Sequence, residues 1–155
     1  MQTRKNYRKL KMIIEDIKNS VKKALYHMDN NIIFHYESVS HTGFPYAIFS
    51  LKNFEVEHFA NNNKRKLNLS FELSYQKSKE NTISELMSEE QKISDALLPV
   101  ISILGKKISL DNVVFKTLDK QLVMNFNLNL YTYEIDDNYE LIQTLDLTMK
   151  EDKNA

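Results

Sequence analysis

The sequence predicts an α+β domain: a mainly antiparallel sheet of about five strands with two helices packed on one face, in the order α-β-β-β-α-β-β, followed by an extended C-terminal tail. Three observations predict it. Residues 66–75 (KLNLSFELSY) set Leu67, Leu69, Phe71, Leu73 and Tyr75 against Lys66, Asn68, Ser70, Glu72 and Ser74, and residues 121–133 (QLVMNFNLNLYTY) set Leu122, Met124, Phe126, Leu128 and Leu130 against Asn125, Asn127 and Asn129. Successive side chains of a strand point to opposite faces, so each segment reads as a strand with one apolar and one wet face. The third observation is a pair of helically spaced stretches, one before the first strand segment and one between the two. Such a sheet covers one face with helices and shows the other to water or to a neighbouring subunit, which makes assembly the first functional reading and chemistry the second.

The first helix is expected over residues 3–28, where Leu10, Ile14, Ile17, Val21, Leu25 and Met28 recur at steps of three and four with lysine and arginine opposite them. Residues 32–38 (IIFHYES) read as a first strand, and Gly43 and Pro45 mark the loop that follows. Residues 46–59 form a long second strand whose alternation changes near Lys52 and Asn53, the signature of a bulge. Asn61, Asn62 and Asn63 tolerate left-handed backbone angles, so the stretch ANNNKRK is a hairpin tip leading into the third strand.

Thr82 and Glu85 have the spacing of a capping box, and either Thr82 or Asn81 starts the second helix, whose stripe is Leu86, Ile93, Leu97, Ile101 and Leu104. Gly105 followed by two lysines closes that helix, and Pro99 kinks it or ends its regular hydrogen bonding early. A short extended piece near Ile108 precedes a last hairpin, residues 113–118 and 121–133, turning at Asp119 and Lys120. Residues 1–133 form one domain and residues 134–155 a tail. The tail carries Ile135, Tyr139, Leu141, Ile142, Leu145, Leu147 and Met149 between acids, too apolar for a merely solubilising end.

Composition narrows the chemistry. The chain of 155 residues is 42% hydrophobic and 27% charged, an ordinary globular balance for one domain. It has no cysteine, which excludes disulfides, thiolate metal sites and a cysteine nucleophile. No apolar run reaches a membrane span and no signal peptide is apparent, so no membrane partner is expected and the cytoplasm is the default compartment. With glycine only at Gly43 and Gly105, neither GxGxxG nor a phosphate loop can form. His27, His35, His41 and His58 show no metal-ligand spacing. Glu89, Glu90, Asp136 and Asp137 read as solvated carboxylates rather than an acid and base pair. The expectation is a non-enzyme without cofactor or metal.

Net charge is zero, yet the N-terminal thirty residues are basic and the tail from Glu134 is acidic. That polarity can steer head-to-tail contacts between copies or simply solvate two ends. Arginine occurs only at Arg4, Arg8 and Arg65, which disfavours direct sequence-specific nucleic-acid binding. The candidate partner-binding residues are Asn62, Asn63, Lys64 and Arg65 at the hairpin tip and Tyr139, Leu141, Ile142 and Leu145 in the tail.

MIIEDIKNSVKKAL at residues 12–25, FPYAIFSL at 44–51, NNNKRKLNLSFELSY ending at Tyr75, VMNFNLNLYTY at 123–133 and the acidic ending over 140–152 together resemble a phage tail terminator protein. The resemblance spans most of the chain. It implies a subunit similar to the lambda-type terminator fold that forms a hexameric ring on the last ring of the tail tube, stops tube polymerisation and offers a surface for joining the head. The partners it implies are further copies of the chain, the tail tube protein, and the tail sheath and head connector or neck proteins. The setting it implies is a virion or a contractile phage-tail-like particle assembled in the host bacterial cytoplasm. Members often begin near the position of Met12, so residues 1–11 are expected to be either an N-terminal extension or the result of an upstream start. The rival readings are a head-completion or neck adaptor protein and, from another class, a small nucleic-acid-binding or regulatory module using Lys64, Arg65 and Lys66.

Overall fold

The computed structural model describes residues 2–38, 43–59, 64–135 and 138–142. In chain order the elements are α1 (Gln2–Met28), β1 (Ile33–Tyr36), β2 (Tyr46–His58), β3 (Lys64–Gln76), α2 (Ile83–Leu97), β4 (Val100–Ile103), β5 (Lys106–Ser109), β6 (Asp111–Leu118), β7 (Gln121–Ile135) and β8 (Asn138–Ile142). The main sheet runs β1-β2-β3-β7-β6, with β8 also on β7, while β4 and β5 form a separate pair. Among the described residues only β1 and β2 pair in parallel, and every other ladder is antiparallel. The expected α+β class and helix-covered, mainly antiparallel sheet are therefore what the chain adopts.

The core lies where period two meets period 3.6. Leu67, Leu69, Phe71, Leu73 and Tyr75 of β3 and Leu122, Met124, Phe126, Leu128 and Leu130 of β7 are all buried. Phe71 stacks on Phe49 of β2 at 4.9 Å and on Phe126 of β7 at 5.6 Å, which ties three central strands together. Each such ring contributes about 1.5–3 kcal/mol through burial. Above them α1 buries Ile13, Ile17, Val21 and Leu25. The stripe thus passes through Ile13 and leaves Ile14 half-buried, a correction of one position. Adjacent isoleucines both fit helical spacing, and the uninterrupted four-residue series is the one that faces the sheet. The helix is unbroken from Gln2, so residues 2–11 continue α1.

Two local expectations hold in detail. The β2–β3 register shifts between Leu51 and Asn53, at the expected bulge. Thr82 and Glu85 form the reciprocal capping box, with Glu85 N–H donating to Thr82 Oγ1 at 3.2 Å and Thr82 N–H to Glu85 Oε2 at 3.4 Å.

The second helix stops at Leu97 and does not reach Leu104. Proline restricts the residue before it to extended backbone, so the helix ends ahead of Pro99 and the chain re-emerges as a hairpin. Ile101, Ile103 and Ile108 then alternate inward as strand residues. The turn is Leu104–Gly105, both at positive φ (49° and 77°), the backbone of a two-residue hairpin loop. This hairpin clamps onto α1, where the Asp16 carboxylate accepts from the Leu104 N–H and Ser20 Oγ donates to the Ser102 carbonyl. The tail, too, is partly sheet: β7 extends to Ile135 and β8 folds back on it.

Candidate assembly surfaces

At the C-terminal end of β7 the sheet brings together residues far apart in sequence. Lys64, Arg65 and Lys66 of β3 lie opposite Tyr133, Thr132 and Tyr131 of β7. Those three lie in turn opposite Glu140, Leu141 and Ile142 of β8, with Tyr139 one rung further, opposite Glu134. The hairpin group Lys64 and Arg65 and the tail group Tyr139, Leu141 and Ile142 are therefore neighbouring rungs of one patch. Asn62, Asn63 and Leu145 lie outside the described residues. Lys64 is buried despite its charge, its ammonium 5.0 Å from the Tyr131 ring centre and 5.4 Å from that of Phe59. Lys66 approaches the same Tyr131 ring at 5.8 Å. A cation over an aromatic face keeps its attraction while its stem packs, so this end of the sheet is built from aromatic and cationic groups rather than from an exposed loop of lysines.

On the other side, β2 presents an edge in two halves. Along the first half β1 pairs with Tyr46 to Phe49. Glu37, just past β1, donates its N–H to the Phe49 carbonyl at 3.0 Å, and its carboxylate accepts from the Leu51 N–H at 2.8 Å. The bulge follows at once. Beyond it Phe59 N–H donates to the Lys64 carbonyl, which fixes the odd-numbered residues as those whose backbone faces β3. The backbones of Phe54, Val56 and His58 consequently face outward. No strand among the described residues covers them. Phe54 is 54% exposed on this edge.

The sheet face away from the helices is polar along its middle. Asn53, Glu55, Asn68, Ser70, Asn127 and Asn129 line a shallow groove of about 260 Å³. Asn129 Nδ2 donates to Asp111 at 2.9 Å, and Lys52 pairs with Glu72 at 3.9 Å. Opposite charges are interspersed here, so the surface offers amide hydrogen bonding without a strong field of either sign.

Among the described residues no three His, Asp or Glu side chains converge as metal ligands. His35 sits opposite Ile48 on β1, and His58 lies at the end of β2, apart from it. A larger open groove of about 980 Å³ runs between α1, α2 and β4, with Ala24, Ala96 and Ile101 among its apolar lining and Asp16, Lys23 and Asp95 among its charged one. Sequence reasoning missed this groove, which only packing creates. It also passed over Ile83 and Met87, exposed by 73% and 68% on α2. Their four-residue spacing along the flank of the apolar stripe was the available signal. Among the described residues no helix is long and apolar enough to cross a membrane.

A family model described as "Phage tail terminator protein" matches residues 16–140. No curated protein matches the sequence. One solved chain aligns with 12% identity over 81% of this chain and 96% of its own, at a TM-score of 0.43, a likeness too loose to carry an argument.

Proposed function

Because the chain belongs to the phage tail terminator family, a family of structural tail components, we propose that it is the subunit of a ring that caps the tail tube, stops its polymerisation and provides the surface to which the head is joined. The family match across residues 16–140 is the observation that carries this reading. The sheet supports it. Two different edges, β2 on one side and β6 with β8 on the other, suit head-to-tail contacts between copies, and such contacts generate a ring when their rotation closes. A hexamer is the ring size to be expected from the family resemblance.

On this reading the immediate partners are neighbouring copies and the last ring of tail tube protein, with the sheath and the head connector or neck proteins beyond. The residues we assign to these contacts are Lys64, Arg65, Tyr139, Leu141 and Ile142, clustered at one end of the sheet, together with Asn62, Asn63 and Leu145. The protein is then a component of a virion or a contractile tail-like particle, assembled in the host cytoplasm, and works without catalysis or cofactor.

Electron microscopy of the purified chain, together with addition of the protein to a lysate lacking its terminator, tests the proposal. Rings, and tails of uniform length that become competent for head joining, are the expected result. A monomer at high concentration that leaves tails over-long would overturn it. A ring located on the portal side of a particle would identify a neck adaptor instead.

A further inference from the structure

We propose that the open edge of β2 at Phe54, Val56 and His58 receives residues 145–149 of a second copy of this chain as an added strand, so that neighbouring subunits are joined by exchanged tails. The proposal rests on the self-assembly reading above and names the surface through which it operates.

The edge is ready for a strand. Three successive outward-facing residues offer backbone N–H and C=O groups that no strand among the described residues takes up, and an edge of this kind is a template for pairing with another chain. Glu37 closes the edge only as far as Leu51. Past the bulge, Phe54 and Val56 lie opposite Leu69 and Leu67, both buried on the helix-covered side. A strand added there with an apolar residue at every second position would extend that apolar side and cover Phe54, which is otherwise half exposed.

The chain contains one remaining segment with that pattern. After β8 the sequence reads TLDLTMK, placing Leu145, Leu147 and Met149 at alternate positions between Asp146, Thr148 and Lys150. Ile142 lies opposite Tyr131, while β6 takes up the same side of β7 from Asn127 onward, with Asp111 opposite Asn127. A longer β8 would therefore meet Asp111 just beyond the position opposite Leu128, so that side of β7 is already taken further along. Residues 143–155 reach ~40 Å when extended. They leave from the sheet edge opposite β2, so in a head-to-tail arrangement the tail of one copy is delivered to the β2 edge of the next.

The absence of cysteine makes the contact directly testable. Full-length Phe54→Cys and Leu147→Cys proteins, each shown to melt cooperatively, are mixed and treated with a short thiol crosslinker, with Leu118→Cys, 57% exposed at the β6–β7 turn, as the control partner. His58→Cys reports on the same edge if Phe54→Cys is unstable. The expected result is a crosslinked dimer from the Phe54→Cys and Leu147→Cys pair and little from the control pair. Sedimentation velocity of Phe54→Lys should show association weakened by about tenfold or more, the scale of losing one buried aromatic contact. An intact oligomer without the Phe54–Leu147 crosslink overturns the tail exchange and leaves the ring standing. A double Phe54→Cys, Leu147→Cys chain that crosslinks only within itself, as a monomer, places the tail on its own edge and also overturns it. A wild-type chain that stays monomeric at every concentration defeats the self-assembly reading and this proposal with it.

Discussion

The Glu37 carboxylate accepts a hydrogen bond from the Leu51 N–H at 2.8 Å, across the gap where β1 has already ended. Glu37 holds a φ of 61°, so the main chain turns out of the sheet while the side chain reaches back to it. A side chain thus substitutes for the next residue of a strand. It divides β2 into a closed half, paired with β1, and an open half that starts at the bulge.

Replacing Glu37 by alanine should cost about 1 kcal/mol, the net worth of a hydrogen bond at a partly solvated site. Glu37→Gln keeps an acceptor oxygen in place and should recover most of that loss. Amide exchange at Leu51 is the direct readout, faster in Glu37→Ala and near wild type in Glu37→Gln. Equal exchange in all three proteins would show that the bond does not protect the edge.

Unlike Glu37, the Glu89 carboxylate, read from sequence as solvated, is buried and has a structural role. Glu89 of α2 is buried, with Lys77 and Lys92 each at 3.3 Å, beside the buried phenol of Tyr75. The two lysines are half exposed, so their loss from the pair is softened by water. The Tyr75 hydroxyl has no such relief. Glu89→Leu should therefore destabilise by about 1–3 kcal/mol, mainly through the stranded hydroxyl, and Tyr75→Phe in the same background should restore part of it. Urea midpoints of the single and double variants measure this coupling, and strict additivity would refute it.

Alkaline pH gives an independent check on the same pair. Burial, followed by the negative charge and hydrogen bond of Glu89, pushes the Tyr75 phenol above its ordinary value of 10.0. Tyr36 is raised as well, by burial first and then by Glu37 and Glu15. Above an unfolded-state value near 10.0 the unfolded chain has released protons that the folded chain still holds, so stability falls as pH rises. The contribution is fully present below that value. Tyr75→Phe should flatten the decline of the urea midpoint at high pH, and an unchanged slope would mean that Tyr75 titrates normally.

What the sequence could and could not disclose follows from the range of each interaction. The alternation of β3 and β7, the capping box at Thr82 and the bulge after Leu51 are written in neighbouring residues, and each is found in place. The end of α2 was ambiguous because a left-handed glycine at Gly105 serves a helix terminus and a hairpin turn equally well. Pro99 was the better guide, since Ile101 and Ile103 directly after it alternate inward. The convergence of Lys64 and Arg65 with Leu141 and Ile142 depends on two strands choosing the same partner, β7, from opposite sides. No local pattern encodes that choice. Glu37 was equally hidden, for a surface glutamate reads as solvated until the strand beside it is known to end.

The tail's contribution can be divided by two truncations. Ending the chain after Ile142 keeps β8 on β7 and removes only the segment assigned to the neighbouring copy. Ending it after Tyr133 removes β8 also and uncovers the β7 backbone between Tyr131 and Tyr133. The buried residues of α1, α2 and the strands from β1 through most of β7 remain in both. Both truncated chains should still unfold in one cooperative step, because the aromatic stack of Phe49, Phe71 and Phe126 and the helix stripes above it are untouched. Both should lose oligomerisation, since each lacks Leu145, Leu147 and Met149. The shorter chain should in addition be less stable by about 1–2 kcal/mol and aggregate more readily through its new edge. Denaturant unfolding and sedimentation velocity on the two proteins distinguish the outcomes. Loss of cooperativity after truncation at Tyr133 would make β8 part of the folding core, and full oligomerisation of the chain ending at Ile142 would place the subunit contacts elsewhere on the sheet.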